Sequence, residues 1–210
     1  MFATSGEQYW RWLGERAILC STNDQVDAIN QLMHNRMPGE EFVHLSADSQ
    51  LVENRDAPVI QTHHLNTFTP SGIPPHILTV KRGSPVMLMR NIAPASGHCN
   101  GTKYVVVDCG RQYLTLRAIS GPVTGQVIAL PRIKFVSSLS ETEIRFTRVQ
   151  YPVRLSFALT IHKAQGQSLD RVGVSLMKDA FTHGQLYVAL SRPTSPLGIK
   201  VIRPWDDTAG

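Results

Sequence analysis

The sequence predicts an α/β fold in which a domain of alternating strands and helices is interrupted by a small all-β segment. Strand and helix patterns alternate at residues 16–38 and again at 153–202. Between residues 78 and 136 the pattern changes to short runs of Val, Ile and Leu separated by glycine-containing turns, which is typical of an antiparallel barrel or meander. We therefore expect three segments: residues 1–77 begin the α/β domain, 78–136 form the all-β insertion, and 137–210 complete the α/β domain.

The first strand, loop and helix are predicted before residue 39. Residues 17–20 form a short apolar run that ends in the polar residues 21–23, and apolar residues then recur at helical spacing. The recurring apolar residues are Val26, Ile29, Leu32 and Met33. Residues 42–45 predict the next strand. Residues 69–75 contain three prolines and a glycine, which favours a connection between domains over a helix or a central strand.

Longer units return after residue 137. Residues 153–160 and 172–176 predict two strands, and residues 199–202 predict a terminal strand. Residues 181–190 predict a helix with Leu186, Ala189 and Leu190 toward one face. Because strand and helix patterns stand on both sides of the all-β segment, the α/β domain is predicted to be interrupted.

Composition favours a globular protein with a polyanionic partner. Hydrophobic residues make up 42% of the chain and charged residues 18%, while the formal net charge is +5 and the pI about 9.3. Nucleic acid is such a partner, since each phosphate that a cation neutralises releases counterions. No apolar run approaches the roughly 20 residues that a membrane helix needs, so no membrane partner is expected.

Cysteine and histidine spacing predicts no metal site. The cysteines at positions 20, 99 and 109 are odd in number and far apart, which indicates neither a disulfide framework nor a zinc site and fits a reducing compartment. The adjacent pairs His63–His64 and His98–Cys99 direct their side chains apart on a strand or a helix. No carboxylate cluster accompanies either pair.

The polar segment 160–168 is the first candidate functional site. It follows an apolar run at the carboxyl end of a predicted strand, where open α/β sheets bind their ligands. The segment supplies a hydroxyl, an imidazole, an ammonium group, two amides and a glycine. The residues in question are Thr160, His162, Lys163, Gln165, Gly166 and Gln167. These donors suit phosphate oxygens, and the alternative is a solvated strand-to-helix turn that Thr160 caps.

Arg192 is a candidate for contact with a nucleotide phosphate. The proline that follows it disfavours helical geometry in the preceding residue, so the predicted helix should end at Arg192. An arginine held at a helix end can reach the terminal phosphate of a nucleotide across an interface. The alternative is that its charge compensates the dipole at the helix C-terminus.

The turn formed by Ser21, Thr22 and Asn23 is the third candidate. Each of the three residues is a good N-cap for the helix that follows, so capping is one interpretation. A DNA phosphate at the same helix N-terminus is the other, because the free amides there point outward. The two interpretations are compatible.

Taken in order, these segments resemble the C-terminal motor half of the Pif1 family of superfamily-one DNA helicases, including Helitron-type transposon helicases. The resemblance covers nearly the whole chain. It runs through residues 45–49, 69–76, 83–92, 99–102, 131–133, 160–168 and 183–192. Two positions depart from the family pattern, since Pro193 follows the arginine and Ala164 replaces a common serine, but neither change removes a named functional side chain.

The resemblance implies a fold and a role for each candidate residue. The α/β domain would be the second RecA-like domain of the motor, and the insertion a small barrel of Src-homology type. Arg192 would be the arginine finger, carried on the helix that includes Gln185 and Tyr187. The resemblance assigns the single-stranded DNA contacts to Thr22, Asn23, Thr160, His162 and Lys163, and the coupling of DNA to nucleotide to Gln165, Gly166 and Gln167.

The resemblance further implies an ATP-dependent 5′ to 3′ DNA helicase that uses ATP and Mg²⁺. The printed sequence contains neither a Gly-x-x-x-x-Gly-Lys-Ser/Thr loop nor the acidic strand for magnesium. We therefore expect an N-terminal RecA-like domain, in the same polypeptide or a separate one, to complete the ATP site, and this chain alone to be inactive in ATP hydrolysis. The alternative is a truncated or repurposed half that binds nucleic acid or protein without catalysis. The expected location is intracellular, and nuclear in a eukaryote, with roles in DNA repair, recombination or telomere maintenance.

Overall fold

The computed structural model describes residues 6–51, 60–137, 144–167, 169–176 and 184–202. The chain divides into two compact units: unit 1 comprises residues 1–38 and 155–210, and unit 2 comprises residues 39–154. Among the described helices, none has the length and apolar character that crossing a membrane requires.

Helices and strands are numbered here in chain order over the described residues. The α-helices are α1 (Glu7–Gly14), α2 (Asn23–Arg36), α3 (Thr62–Thr67) and α4 (Gln185–Leu190), with 3₁₀ turns at Pro94–Ser96, Ile161–Ala164 and Pro196–Gly198. The strands are β1 (Arg16–Cys20), β2 (Glu41–Leu45), β3 (Ala47–Gln50), β4 (Ile77–Lys81), β5 (Pro85–Leu88), β6 (Lys103–Cys109), β7 (Tyr113–Ala118), β8 (Val127–Pro131), β9 (Ile133–Val136), β10 (Phe146–Gln150), β11 (Val153–Leu155), β12 (Ala158–Thr160), β13 (Arg171–Ser175) and β14 (Ile199–Ile202).

Unit 1 is built on a four-stranded parallel sheet. The strand order is β12-β1-β13-β14, so the first strand of the chain lies in the interior of the sheet. Both faces of β1 are largely covered, which explains why its sequence is a continuous apolar run without alternation. Helix α2 packs on one face through Val26, which contacts Cys20 and Ala158. The α/β character of this unit is as predicted.

The buried face of α2 differs from the predicted apolar stripe. Val26 is buried, but Leu32 is 47% exposed. The side chains of Asn30 and His34 are buried instead, at 4% and 0% exposure. These residues follow Val26 at intervals of four, so the helix is rotated toward a partly polar face. The prediction used only the positions of apolar residues, so it did not anticipate a buried face that includes Asn30 and His34.

Unit 2 consists mainly of antiparallel strands. Its sheets have the strand orders β11-β5-β6-β7-β8, β3-β10-β9 and β2-β4. Strands β5 to β8 pair antiparallel as neighbours in sequence. A short turn joins β6 to β7, whereas residues 89–102 and 119–126 form longer connections than the turn residues predicted. Their inward residues form a core in which Val86, Val105 and Leu116 are fully buried.

The units begin and end at different residues from the predicted segments. Residues 41–50 lie in unit 2 because β2 pairs with β4, and β3 pairs with β10. The single strand predicted at 153–160 is two strands, since β11 and β12 belong to different sheets. A local apolar pattern cannot show this division, because it is set by pairing partners that are distant in sequence.

A buried ion pair organises part of unit 2. The guanidinium group of Arg148 and the carboxylate of Asp48 are both fully buried, with Nη2 and Oδ2 2.6 Å apart. The same guanidinium donates to the carbonyl oxygens of Phe68 and Pro74 through Nη1 and of Leu65 through Nη2. These bonds tie α3 and the proline-rich loop after it to β10.

Four of the described elements were not predicted from the sequence, and one predicted helix is described only in part. Helices α1 and α3 are short, and strands β3 and β10 carry polar residues that conceal their pattern. The helix predicted at 181–190 is described from Gln185, and residues 181–183 lie outside the described part of the chain. Gly184 precedes α4 with φ of +87°, a conformation that glycine adopts without strain.

Candidate nucleic-acid and nucleotide site

Two loops leave the same edge of the unit 1 sheet side by side. Strands β1 and β12 are parallel neighbours, and Cys20 at the end of β1 lies opposite Thr160 at the end of β12. Neighbouring strands are about 4.8 Å apart, so residues 21–23 and 161–167 begin next to each other. The carboxyl edge of a parallel sheet is where α/β proteins bind ligands. The structure thus brings together the first and third candidate segments.

The loop after β1 caps α2 and exposes its first residue. Thr22 Oγ1 accepts a hydrogen bond from the backbone N–H of Gln25 at 3.4 Å, so its hydroxyl acts as an N-cap. Ser21 Oγ donates to Gln25 Oε1 at 3.2 Å. Asn23 and Asp24, in the first turn of α2, are exposed. Capping by Thr22 and exposure of Asn23 are therefore both present in one loop.

The loop after β12 separates buried from exposed side chains. Ile161 and Ala164 point into unit 1, whereas His162 and Lys163 are exposed on the 3₁₀ turn. Thr160 is 8% exposed, and its side chain does not cap this turn, contrary to the capping interpretation. These two side chains are thus exposed at the sheet edge.

The second half of the same loop is fixed by local hydrogen bonds. The backbone N–H of Gln165 donates to His162 O at 3.2 Å, and that of Gln167 donates to Ala164 O at 3.0 Å. Gln167 Nε2 donates to Lys163 O at 3.1 Å. Gly166 has φ of +81° and is exposed, as is Gln165. The backbone at Gly166 is therefore open to close approach by a ligand.

Arg192 lies just beyond the end of α4 and is partly buried. Its Nε donates to Val188 O at 3.0 Å, and its Nη2 donates to Ser191 Oγ at 3.0 Å. These bonds satisfy a carbonyl in the last turn of α4, which is the dipole-compensating arrangement. In this structure the guanidinium group therefore bonds the end of its own helix.

The segment that carries Arg192 is joined to the loop after β12. Helix α4 packs against the Ile161–Ala164 turn. The backbone N–H of Leu169 donates to Arg192 O at 3.1 Å, and the N–H of Thr194 donates to Leu169 O at 2.9 Å. Leu169 is 3% exposed. The second candidate segment therefore lies beside the first, although they are some 25 residues apart.

Sequence reasoning missed Asn30, the buried polar residue that links α2 to the segment before β12. Its side chain makes three hydrogen bonds to the backbone of Leu155 and Ala158. The available signal was an asparagine four residues after Val26, which places it on the same side of the helix as that buried residue. A polar residue at such a position must find partners in the fold, and the sequence does not show which.

Side chains that would hold a metal ion are not grouped in the described residues. No set of three His, Cys, Asp or Glu side chains in those ranges is arranged to bind a metal. The rings of His63 and His64 lie 4.1 Å apart, so these side chains do not point apart as expected, but they belong to no set of three such side chains. All three cysteines are free, and burial raises the pKa of the Cys20 thiol to about 11.

Two family models match the chain. The model for the 2B domain of the DNA helicase Pif1 matches residues 63–109, within unit 2. The herpes helicase model, described as a helicase, matches residues 124–203 and includes the loop after β12 and Arg192.

Known Pif1 helicases resemble the chain in sequence and in fold. The ATP-dependent DNA helicase PIF1 of Rattus norvegicus is 32% identical over 88% of this chain, and Pif1 of Bdellovibrio bacteriovorus is 32% identical over 86%. The chain spans 27% of the rat protein and 40% of the bacterial one. The crystal structure of Pif1 helicase from Candida albicans is 27% identical, with a TM-score of 0.69 over 90% of this chain and 45% of that one. By sequence and by fold, this chain belongs to the Pif1 family of DNA helicases.

Proposed function

We propose that the chain is the C-terminal motor half of an ATP-dependent 5′ to 3′ DNA helicase. Unit 1 would be the second RecA-like domain, and the antiparallel strands of unit 2 would include the barrel of Src-homology type. The names of the relatives support this proposal, since the rat and bacterial proteins are ATP-dependent DNA helicases. A Bacteroides Pif1 structure of similar fold is a complex with ADP-AlF3 and single-stranded DNA.

The observation that carries the proposal is the pair of adjacent loops at the carboxyl edge of the unit 1 sheet. Exposed Asn23, His162 and Lys163 offer an amide, an imidazole and an ammonium group within one short stretch of surface. The first turn of α2 adds backbone N–H groups and a positive dipole end. Such a set would bind the phosphates of one DNA strand, and Thr22 and Thr160, at the starts of the same two loops, would complete the contacts that the resemblance assigns.

Gln165, Gly166 and Gln167 occupy the stretch between the proposed DNA contacts and the segment that carries Arg192. The bonds between Leu169 and residues 192–194 join that stretch to the helix end. In the proposed motor, Arg192 exchanges its bonds to Val188 O and Ser191 Oγ for the terminal phosphate of the nucleotide. A guanidinium group suits this role because its planar donors match phosphate oxygens.

ATP supplies the free energy of phosphate transfer, and an N-terminal RecA-like domain would hold its phosphates and Mg²⁺. The described residues contain no group of three His, Cys, Asp or Glu side chains that could hold a metal ion. The chain would contribute one wall of the nucleotide cleft. A DNA motor of this kind would act inside the cell, in the nucleus of a eukaryote, in repair, recombination or telomere maintenance.

Replacement of Arg192 by alanine in the complete motor tests the proposal. ATP turnover should fall by about three orders of magnitude or more, the effect of removing an arginine finger. The affinity for single-stranded DNA should stay close to that of the wild type. Arg171→Ala is the matched control, because Arg171 is exposed at the opposite, amino end of the same sheet. Undiminished turnover in the Arg192 variant would refute its role as the finger.

A non-catalytic binding module is the second candidate function. The bonds of Arg192 to its own helix end favour it, because they show that this side chain already has a structural role. In that case the complete protein binds single-stranded DNA or a protein but shows no DNA-stimulated ATP turnover. The same ATPase measurement on the complete wild-type protein distinguishes the two functions, because only a motor shows ATP turnover that DNA stimulates.

A further inference from the structure

The side chain of Asn30 is wholly engaged with the backbone that leads into β12. Asn30 Nδ2 donates to Leu155 O at 3.1 Å and to Ala158 O at 3.3 Å, while Oδ1 accepts from the N–H of Ala158 at 2.9 Å. The residue is 4% exposed and lies seven positions after Asn23 on α2. Both amide donors and the carbonyl oxygen of this side chain are thus used within unit 1.

These bonds connect the two proposed DNA loops by a route that does not pass through β1. Helix α2 begins at the loop of Ser21 to Asn23, and Ala158 lies two residues before Thr160. An α-helix is stiff over two turns, so a side chain that fixes its middle also fixes its first residue. Hydrogen bonds constrain the direction as well as the distance between two groups. The apolar contact of Val26 with Ala158 does not fix direction in this way.

We propose that Asn30 is a positioning residue for the DNA grip. It holds the loop at the start of α2 and the loop after β12 at one fixed separation, so that both contact the same strand at once. This inference rests on the proposed function, since it assumes that Asn23 and His162 contact DNA. Asn30 touches no ligand itself and acts through the placement of these two residues.

A positioning role of Asn30 can be distinguished from a purely structural one by asking whether the contributions of the two loops to DNA affinity depend on each other. If Asn30 only stabilises the fold, its loss lowers the melting temperature but leaves DNA binding by the folded protein unchanged. If it positions the loops, their contributions to DNA affinity cease to depend on each other when it is lost. A double-mutant cycle measures this dependence directly.

The experiment uses the 210-residue chain and a fluorescent thymidine oligonucleotide, well below the melting temperature of each variant. Asn30→Ala removes all three bonds, and Asn30→Asp keeps the acceptor for Ala158 N–H while losing the donors. Asn35→Ala is the matched control, because Asn35 is exposed on the same helix and bonds only to Gln31 among the hydrogen bonds found for it. Asn23→Ala and His162→Ala are combined in the wild-type and Asn30→Ala backgrounds.

We expect both Asn30 variants to bind the oligonucleotide about tenfold more weakly, the effect of one lost hydrogen bond to a charged group. The coupling between positions 23 and 162 should be present in the wild type and absent with Asn30→Ala. Asn35→Ala should match the wild type in both respects. Folded Asn30 variants with wild-type affinity and coupling would overturn the inference, as would failure of both variants to fold. Two other outcomes would refute the proposed function itself. One is that the wild-type chain does not bind the oligonucleotide, and the other is that His162→Ala leaves its affinity unchanged.

Discussion

At the scale of single residues, Arg148 in unit 2 is held by several partners at once. Its guanidinium group is completely buried, paired with Asp48 and bonded to three backbone carbonyl groups. A buried charge is tolerated only when the fold supplies partners in nearly every direction. The ion pair therefore specifies the path of residues 62–75 rather than contributing large net stability.

Arg148→Met should lower the free energy of unfolding by about 3–5 kcal/mol, because it leaves the carboxylate of Asp48 buried and unpaired. Urea unfolding at pH 7 measures the change. Arg82→Met is the matched control, since Arg82 pairs with Asp108 at the surface, where the side chains are 63% and 54% exposed. That variant should unfold almost as the wild type does. Equal losses in the two variants would contradict the special role of the buried pair.

At the scale of elements, α2 serves both the fold and the proposed site. Its N-terminus is capped by Thr22, its middle is fixed by Asn30, and its first turn lies at the edge of the sheet beside the loop after β12. A helix of 14 residues gains most of its stability from such tertiary contacts. The placement of Asn23 therefore depends on bonds made elsewhere along the helix.

Thr22→Ala should destabilise the chain by about 1 kcal/mol, the typical effect of losing an N-cap. The reason is that the N–H of Gln25 loses the hydroxyl that it bonds in the folded protein. Thr22→Ser keeps a hydroxyl at the same position and should recover most of the stability. Thermal unfolding of the three proteins checks this order, and a serine variant as unstable as the alanine variant would count against capping.

At the scale of the whole molecule, the net charge of +5 supports binding to a polyanion. Affinity for single-stranded DNA should fall as salt rises. The logarithm of the binding constant should decrease with the logarithm of the salt concentration, with a slope of about −0.7 for each phosphate contacted. For about three phosphates, raising salt from roughly 50 to 200 mM lowers the affinity at least about tenfold. Fluorescence titrations at four salt concentrations measure the slope. His162→Ala and Lys163→Ala should weaken binding and Arg171→Ala should not, whereas salt-independent binding would contradict a phosphate interface.

Local patterns predicted much of unit 1 and of the candidate site. The apolar run before Ser21 and the polar segment after β12 were read correctly as a strand end and a loop, because strand ends and caps depend on neighbouring residues. Strand β10 was missed for the opposite reason. Its buried residues include Arg148 and Gln150, whose burial is possible only because distant backbone groups bond them.

The sequence by itself determined the α/β pattern, the β-rich middle of the chain, the family and the residues that are candidates for DNA and nucleotide contact. These follow from short-range spacing and from ordered motifs along the chain. Only the tertiary structure decided that the loops after β1 and β12 are neighbours and that Asn30 joins α2 to β12. The physical reason is that strand pairing and buried polar bonds join residues more than 100 positions apart, and local patterns carry no record of such partners.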